Sequence, residues 1–261
     1  MKENDFSTIT ELPNTMVSNI QIRRSHHRYV LATDYFEKGD SILEIACGGG
    51  QGLGILAEKA KSVVGIDIDS SNIEYCQKSY KGHSKITTLK MSADKLDFLD
   101  KSFDCIVLYE AIYYFSDIKK VFNEISRVLK KGGNLIICTA NKDWPEFNPS
   151  PFSVKYYSIP ELKELAKGFG YKTTFYGAFP DIKDTMKAKI VSAVKRFAVK
   201  YHLMPKTMNG KVFLKKMFLG NLEKYPAILE RNMFKYIEPD CLDSDKSDYV
   251  NTAIYAVCNK E

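Results

Sequence analysis

The stretch that most constrains the fold of this chain is Ser41 to Gly54, which reads SILEIACGGGQGLG. Its first part, ILEI, is a short apolar run typical of a buried parallel strand. A glycine-rich turn follows, and Leu53 to Ala60 then predicts a helix. A strand, a glycine turn and a helix in this order are where an open α/β sheet binds its ligand.

The spacing of the glycines narrows the choice of ligand. The dinucleotide pattern G-x-G-x-x-G and the P-loop pattern both fail in this turn. An acidic residue, Glu44, lies near the end of the first strand, and a second strand over Ser62 to Ile68 is followed by Asp69. Asp67 comes roughly 20 residues after the glycines, where a carboxylate can hold both hydroxyls of a ribose.

Five short motifs, the first of them within this glycine-rich stretch, occur in order along the chain. They read EIACGGGQG (44–52), VVGIDID (63–69), SAD (92–94), FDCIVLYEAIYYF (103–115) and LKKGGNLII (129–137). In this order they resemble the class I S-adenosylmethionine (SAM) dependent methyltransferases of the small bacterial type, with a methyltransferase-11-like core. The resemblance covers about residues 39–177. One departure is Ala46, where many relatives carry glycine.

The resemblance implies an α/β fold. We expect a Rossmann-like, seven-stranded, mostly parallel sheet with helices on both faces and an antiparallel last strand, plus a helical cap insertion. Residues 1–38 are expected to form a helical segment covering the SAM site. The SAM-binding core would comprise residues 39–180 and 248–261, and the cap residues 181–247.

The resemblance also implies SAM as cofactor, S-adenosylhomocysteine as product, and no metal. The expected cofactor contacts are Tyr29, Glu44, Ala46, Gly48, Gly50, Asp67, Ile68, Ala93, Asp94 and Tyr109. Arg28 could assist Tyr29 at the SAM carboxylate, although the helix of these two residues could equally be a surface helix docked on the sheet. Asp94, expected at the adenine amino group, has the alternative role of an ordinary turn aspartate.

No motif singles out a catalytic base. The candidates for catalysis are His26, His27, Glu110 and Tyr114, and Tyr113, Asp143 and His202 are further possible bases. The two adjacent histidines point in different directions on a helix, so at most one is expected to face the site. Glu110 could instead be structural, and Tyr114 could simply pack.

Charge is distributed unevenly along the chain. Residues 183–235 carry 13 Lys and Arg against 3 Asp and Glu, a local net charge of +10, whereas the whole chain carries +6. This favours an anionic acceptor, such as a nucleotide sugar, a phosphorylated glycan, a lipid-linked saccharide or RNA. A membrane-surface helix is an alternative.

These observations lead to ranked hypotheses of function. The first is methyl transfer to a small or saccharide-type acceptor, more readily at oxygen than at nitrogen, since the N-P-P-Y type signature of amide and exocyclic amine methylation is absent after the fourth strand. RNA methylation through the basic insertion is the second, and a non-catalytic SAM-binding protein the third. The start of the chain lacks the pattern of a signal peptide, so a cytoplasmic protein is expected. The oligomeric state is not predicted.

Overall fold

The structure is a computed structural model that describes residues 12–150, 152–181, 186, 192 and 222–261. Its helices are α1 (Asn19–Ala32), α2 (Leu53–Lys59), α3 (Ser70–Ser79), α4 (Ile118–Val128) and α5 (Ile159–Lys167). Its strands are β1 (Met16–Ser18), β2 (Ser41–Ile45), β3 (Ser62–Asp67), β4 (Ile86–Lys90), β5 (Phe103–Tyr109), β6 (Leu129–Ala140), β7 (Tyr171–Pro180), β8 (Leu222–Lys224), β9 (Asp240–Leu242) and β10 (Asn251–Lys260). Among the described helices, none combines the length and apolar character needed to cross a bilayer.

Eight of these strands form one sheet in the order β4-β3-β2-β5-β6-β10-β7-β9. The first five strands in this order run parallel to one another: β4, β3, β2, β5 and β6. Strand β10 lies between β6 and β7 and is antiparallel to both. The predicted sheet with an antiparallel last strand is confirmed. The short strand β9 adds an eighth member beside β7, because residues 240–242 pair with Phe175 to Gly177.

The core lies in two layers, one on each face of the sheet. Strands β2 and β5 are at its centre and are buried along almost their whole length, which matches the continuous apolar runs in their sequence. Helix α4 covers one face through a single apolar stripe, formed by Val121, Phe122, Ile125 and Val128. The carboxyl ends of the central strands therefore meet at one rigid edge, where a ligand can bind.

The junction between α4 and β6 differs from the sequence-based expectation. The apolar periodicity of residues 116–130, followed by Gly132 and Gly133, predicts a helix that reaches Lys130 and a strand that begins at Asn134, but α4 ends at Val128 and β6 begins at Leu129. Gly132 takes a positive φ of 77°, and the pairing with β5 shifts register between Phe103 and Cys105. The two glycines thus form an irregularity inside a strand, a role that glycine fills because it tolerates positive φ.

The predicted helical cap, residues 181–247, lies largely outside the described residues, as does His202. Its described last part, residues 222–247, contains strands β8 and β9 and irregular backbone instead of helix. The helical spacing of Leu222 from Phe218 and Leu214 predicts a helix of the cap there, but Leu222 pairs with Ser18 in the small β1–β8 ribbon. We call residues 225–237 the strap, because they run from this ribbon across the glycine turn and α1 through hydrogen bonds described below.

Candidate functional site

A cavity of about 620 Å³ lies where α1, the glycine turn and the carboxyl ends of β2, β3, β5 and β6 meet. Most of the predicted cofactor contacts line it: Tyr29, Glu44, Ala46, Gly48, Asp67, Ile68, Ala93, Asp94 and Tyr109. Glu110 and Tyr114 also line it, whereas Gly50, His26 and His27 do not. The volume falls within the range of about 300–1,000 Å³ that is usual for small-molecule sites.

The backbone of the glycine turn explains its composition. Gly48 and Gly50 have positive φ values of 55° and 71°, and Ala46 has a φ of 58°. This left-handed conformation costs a residue with a side chain about 1 kcal/mol or more, so glycine would suit the position of Ala46 better. At Gly50 an added Cβ would also lie 2.7 Å from the sulfur of Cys76. Gly50 therefore contributes to the turn through its close packing against Cys76, and it does not line the cavity.

Tyr29 connects α1 to the strand that precedes the glycine turn. Its hydroxyl donates to Oε1 of Glu44 at 2.7 Å, and its ring packs edge-to-face on Tyr109 with the ring centroids 5.3 Å apart. The hydroxyl of Tyr109 in turn donates to the main-chain oxygen of Arg28 at 2.9 Å. These contacts hold α1 over the cavity.

Glu44 is a buried acid that lines the cavity. It is 1% exposed, and its Oε2 atom has no hydrogen-bond partner among the described residues. Burial raises the pKa of Glu44 to about 7, although the hydrogen bond from Tyr29 acts in the opposite direction. A buried carboxylate with a spare oxygen is well suited to pair with a cationic group of a ligand.

Asp67 is held at the end of β3 by three hydrogen bonds. Its Oδ2 accepts from the backbone N–H of Gly48 at 2.9 Å, and its Oδ1 accepts from the N–H of Asp69 at 2.9 Å and from Asn72 at 3.1 Å. Burial nevertheless raises its pKa above the usual value, against the effect of these bonds. Asp67 thus fixes the glycine turn and lines the cavity with the same carboxylate.

The residues expected around the adenine form the edge of the cavity beyond Asp67. Ile68 is 55% exposed, an apolar side chain available to a flat ligand. Asp94 accepts from the hydroxyl of Ser92 at 2.6 Å and forms an ion pair with Lys120 at 3.3 Å. The hydrogen bond from Ser92, followed by the contacts with Lys120, lowers the pKa of Asp94. Asp94 is therefore an ionised acceptor at this edge.

Aromatic residues and one acid follow the end of β5. Glu110 has a positive φ of 51°, and its Oε2 accepts from the hydroxyl of Tyr113 at 2.9 Å. Tyr113 stacks on Tyr156 with the ring centroids 4.2 Å apart, and Tyr114 packs against Tyr113 at 4.6 Å. Tyr113, Tyr114 and Phe115 line the cavity, so its wall at this end is aromatic.

The structure places the two predicted catalytic histidines elsewhere. His26 and His27 are buried on α1, outside the cavity lining. Nε2 of His26 donates to the main-chain oxygen of Arg231 at 2.7 Å, and Nε2 of His27 donates to that of Ile237 at 2.7 Å. Both imidazoles therefore fasten the strap to α1. Because Nε2 of His27 carries the proton, its Nδ1 accepts from the hydroxyl of Tyr255 at 2.9 Å.

Other features of the site were not predicted from the sequence. Arg24 and Gln21 line the cavity from α1, and the helical spacing with Arg28 could have indicated them. Tyr225 of the strap also lines the cavity, and the N–H of Leu229 donates to the oxygen of Gln51 in the glycine turn at 2.7 Å. These strap contacts have no local sequence signal.

Part of the chain is similar in sequence to known methyltransferases. Residues 43–137 match the family described as "Methyltransferase domain" (Methyltransf_11). A probable S-adenosylmethionine-dependent methyltransferase of Mycolicibacterium smegmatis is 27% identical over 151 residues, 54% of this chain and 57% of the relative. A demethylmenaquinone methyltransferase of Symbiobacterium thermophilum is 34% identical over 128 residues, 46% of this chain and 51% of the relative.

Solved structures show the same fold. The YcgJ protein of Bacillus subtilis has a TM-score of 0.58 at 19% identity, covering 90% of this chain and 99% of that protein. The [4+2]-cyclase SpnF has a TM-score of 0.57 at 14% identity, covering 91% and 81%. In its fold, its motifs and the matched residues 43–137, this chain is similar to SAM-dependent methyltransferases. The chain matches a little over half the length of the curated relatives.

Proposed function

We propose that this protein transfers the methyl group of SAM to a small-molecule acceptor. The observation that carries the proposal is the pair of acids at neighbouring strand ends, Glu44 with an unpartnered oxygen and Asp67 bound to the glycine turn, in one cavity. The two carboxylates and the aromatic wall beyond them provide separate regions for a cofactor and an acceptor. The fold alone would not carry this, since a neighbour of the same fold is named a cyclase.

The cavity residues fit SAM group by group. Glu44, with its spare oxygen, would hold the ammonium of the methionine part, and Arg28 beside Tyr29 would hold the carboxylate. Asp67 would accept from the ribose hydroxyls. Ile68, Ala93 and Asp94 would contact the adenine. When bound, SAM supplies a methyl group that is already electrophilic because it is carried by a sulfonium.

The remaining chemical task of the protein is to orient the acceptor and to take its proton. Alignment of the attacking atom with the methyl group is most of the work. Glu110 is the acid that lines the cavity beside the aromatic wall. We assign it the role of general base: its carboxylate would take the proton of the acceptor hydroxyl as the acceptor oxygen replaces the sulfur of SAM on the methyl carbon, which leaves S-adenosylhomocysteine. Tyr113 orients this carboxylate, and Tyr114 contacts the acceptor.

Oxygen remains the proposed site of methylation, and a small molecule the proposed acceptor. The relatives include proteins named demethylmenaquinone methyltransferase and O-methyltransferase rstn1, whose names support a small acceptor with a ring or a hydroxyl. A saccharide is a further small acceptor that this proposal includes. RNA is less favoured, since the basic stretch on which it depends lies mainly outside the described residues and the described cavity has the size of a small-molecule site.

The proposal is tested by methyl transfer with labelled SAM. Purified protein is incubated with pools of small molecules, glycans or bulk RNA, and the label is followed by mass spectrometry. We expect transfer to a small molecule, a kcat reduced by about 10²–10⁴-fold in Glu110→Gln, and unchanged SAM affinity in that variant. Transfer to RNA alone would overturn the proposed acceptor. SAM binding without transfer to any pool would overturn the activity.

A further inference from the structure

The acceptor end of the cavity contains a cationic side chain that the cofactor does not require. Arg24 lies on α1 one turn before Arg28, and both line the cavity. Residues four apart lie on the same face of a helix, about one turn from each other. Arg28 lies beside the rings of Tyr29 and Tyr109, with its Cζ 5.8 Å from each ring centroid, whereas Arg24 lies a turn farther from Glu44 along α1.

The guanidinium of Arg24 is oriented by the last strand of the sheet. Its Nη2 donates to Oγ1 of Thr252 at 2.7 Å. That hydroxyl is itself fixed, since it donates to the main-chain oxygen of Phe179 at 2.9 Å. The ring of Phe179 lies 5.6 Å from Cζ of Arg24. A guanidinium held in this way loses less conformational entropy when it binds a ligand.

Small residues line the cavity next to Thr252, the hydrogen-bond partner of Arg24. Ala253 follows Thr252 and pairs with Ala140 across β10 and β6, and both alanines line the cavity. Methyl side chains at a paired position of two strand ends keep the cavity open at this edge of the sheet. Tyr113 and Tyr114 line the same cavity as Arg24 and these two alanines.

Acidic residues also line the cavity; one of them, Asp117, accepts from the backbone N–H of Lys120. Glu44 and Asp67 are bound to Tyr29 and the glycine turn, and Asp94 is paired with Lys120. Glu110 accepts from Tyr113 and Cys138. Among the described lining residues, Arg24 and Arg28 are the cationic ones.

We infer that the acceptor carries an anionic oxygen group, a carboxylate or a phosphate, which binds Arg24 while the body of the acceptor lies against Tyr113 and Tyr114. This inference rests on the proposed methyl transfer. Arginine suits the role because its planar fork makes two parallel hydrogen bonds to a carboxylate or phosphate, each stronger than a neutral one. Arg24 is thus a specificity-determining residue of the acceptor site.

The test separates acceptors by charge before the reaction. A small-molecule extract of the cells that make the protein is passed over a strong anion exchanger, and the retained and unretained pools are each incubated with the protein and methyl-labelled SAM. Treating part of the retained pool with phosphatase distinguishes a phosphate from a carboxylate. The variants are Arg24→Gln, Arg24→Lys and, as matched control, Arg23→Gln, whose guanidinium lies over Phe234 outside the cavity.

We expect label in the retained pool only. Arg24→Gln should raise the KM for that acceptor by about 10- to 100-fold, Arg24→Lys should raise it less, and Arg23→Gln should behave as the original protein. SAM affinity, measured separately by calorimetry, should not change in any of them. If phosphatase treatment abolishes labelling of the retained pool, the anionic group of the acceptor is a phosphate. If labelling persists after the treatment, the group is a carboxylate.

Other outcomes overturn the inference in different ways. Label in the unretained pool would show a neutral or cationic acceptor. A weakened SAM affinity in Arg24→Gln would assign Arg24 to the cofactor. Intact SAM binding with no label in either pool would overturn the proposed function itself, and with it the inference.

Discussion

The ring of Tyr29 rests directly on the backbone of Gly52: a Cβ added at Gly52 would lie 2.2 Å from two carbons of that ring. Gly52 has a φ of −103°, which any residue adopts, so the requirement for glycine is one of space. Since the hydroxyl of Tyr29 holds Glu44, this contact links the glycine turn, α1 and the acid at the bottom of the cavity.

The first prediction is that Gly52→Ala weakens SAM binding. The added methyl group must displace Tyr29, and overpacking of this kind costs about 1–3 kcal/mol. We expect a SAM Kd raised by about tenfold or more and a lower free energy of unfolding, measured by calorimetry and urea denaturation.

Gly54→Ala is the matched control for that substitution. Gly54 lies in α2, and a Cβ there would meet its nearest neighbour, the hydroxyl of Tyr80, at an ordinary 3.5 Å. Alanine is the better helix former by about 0.5–1 kcal/mol. The control should therefore be neutral or slightly stabilising, with normal SAM affinity. Equal effects of the two substitutions would contradict the role given to the Tyr29–Gly52 contact.

A second prediction concerns the pH dependence of stability through Glu44. Its pKa is about 7 in the folded protein against 4.5 ordinarily, so the folded state binds the proton more tightly than the unfolded state. The corresponding stability is present below pH 4.5 and is lost as pH rises through about 7, by about 3 kcal/mol in total. Glu44→Gln should remove this loss.

The measurement is the difference in free energy of unfolding between Glu44→Gln and the original protein, from pH 5 to pH 8, without ligand. It should shift in favour of the variant as the pH rises. The same variant should bind SAM less tightly, because the neutral amide no longer pairs with a cation. A difference that does not vary with pH would contradict the burial of Glu44 with an Oε2 atom that has no hydrogen-bond partner among the described residues.

A third prediction concerns the attachment of the strap. Burial lowers the pKa of His27, in spite of its hydrogen bond to Ile237. The folded state therefore favours the neutral ring, and its contribution to stability is present above pH 6.5 and declines as pH falls below that value. His27→Gln should flatten this acid side of the stability profile while lowering stability at pH 7.5, since the hydrogen bonds to the strap are altered.

His83→Gln is the control for that experiment, because His83 is exposed and lies away from the strap. Its stability profile should match that of the original protein between pH 5 and pH 8. Hydrogen exchange adds a local measurement: the N–H of Leu229, bonded to Gln51, should exchange faster in His27→Gln and not in His83→Gln. Identical exchange rates of this N–H in the two variants would contradict the role of His27 in attaching the strap to α1.

Much of the fold, and the part of the cavity that contains Glu44 and Asp67, could be predicted from the sequence because the signals there are local. A strand, a glycine turn and a helix are contiguous in residues 41–59, and Asp67 ends the next strand. Such short-range order fixes where a parallel sheet presents its ligand-binding edge. The predicted placement of Glu44 and Asp67 in one cavity follows directly from this.

The parts that failed depend on contacts between distant residues. His26 and His27 have the composition of catalytic groups, but their partners are main-chain oxygens of residues 231 and 237, which no local pattern reveals. Irregular backbone such as the strap carries no periodicity. The start of β6 was predicted wrongly for a different reason. Glycine commonly ends a helix, but Gly132 and Gly133 form an irregularity within a strand here.

The most direct test of the central claim is calorimetric titration of SAM into the original protein, Asp67→Ala and Asp69→Ala. Asp69 is the matched control: it carries the same charge two residues away, caps α3 by accepting from Ser71, and does not line the cavity. We predict binding to the original protein, near-normal affinity in Asp69→Ala despite a loss of about 1 kcal/mol of stability, and an affinity lowered by about 100-fold or more in Asp67→Ala. Near-normal SAM affinity in Asp67→Ala, or no SAM binding by the original protein, would contradict the account.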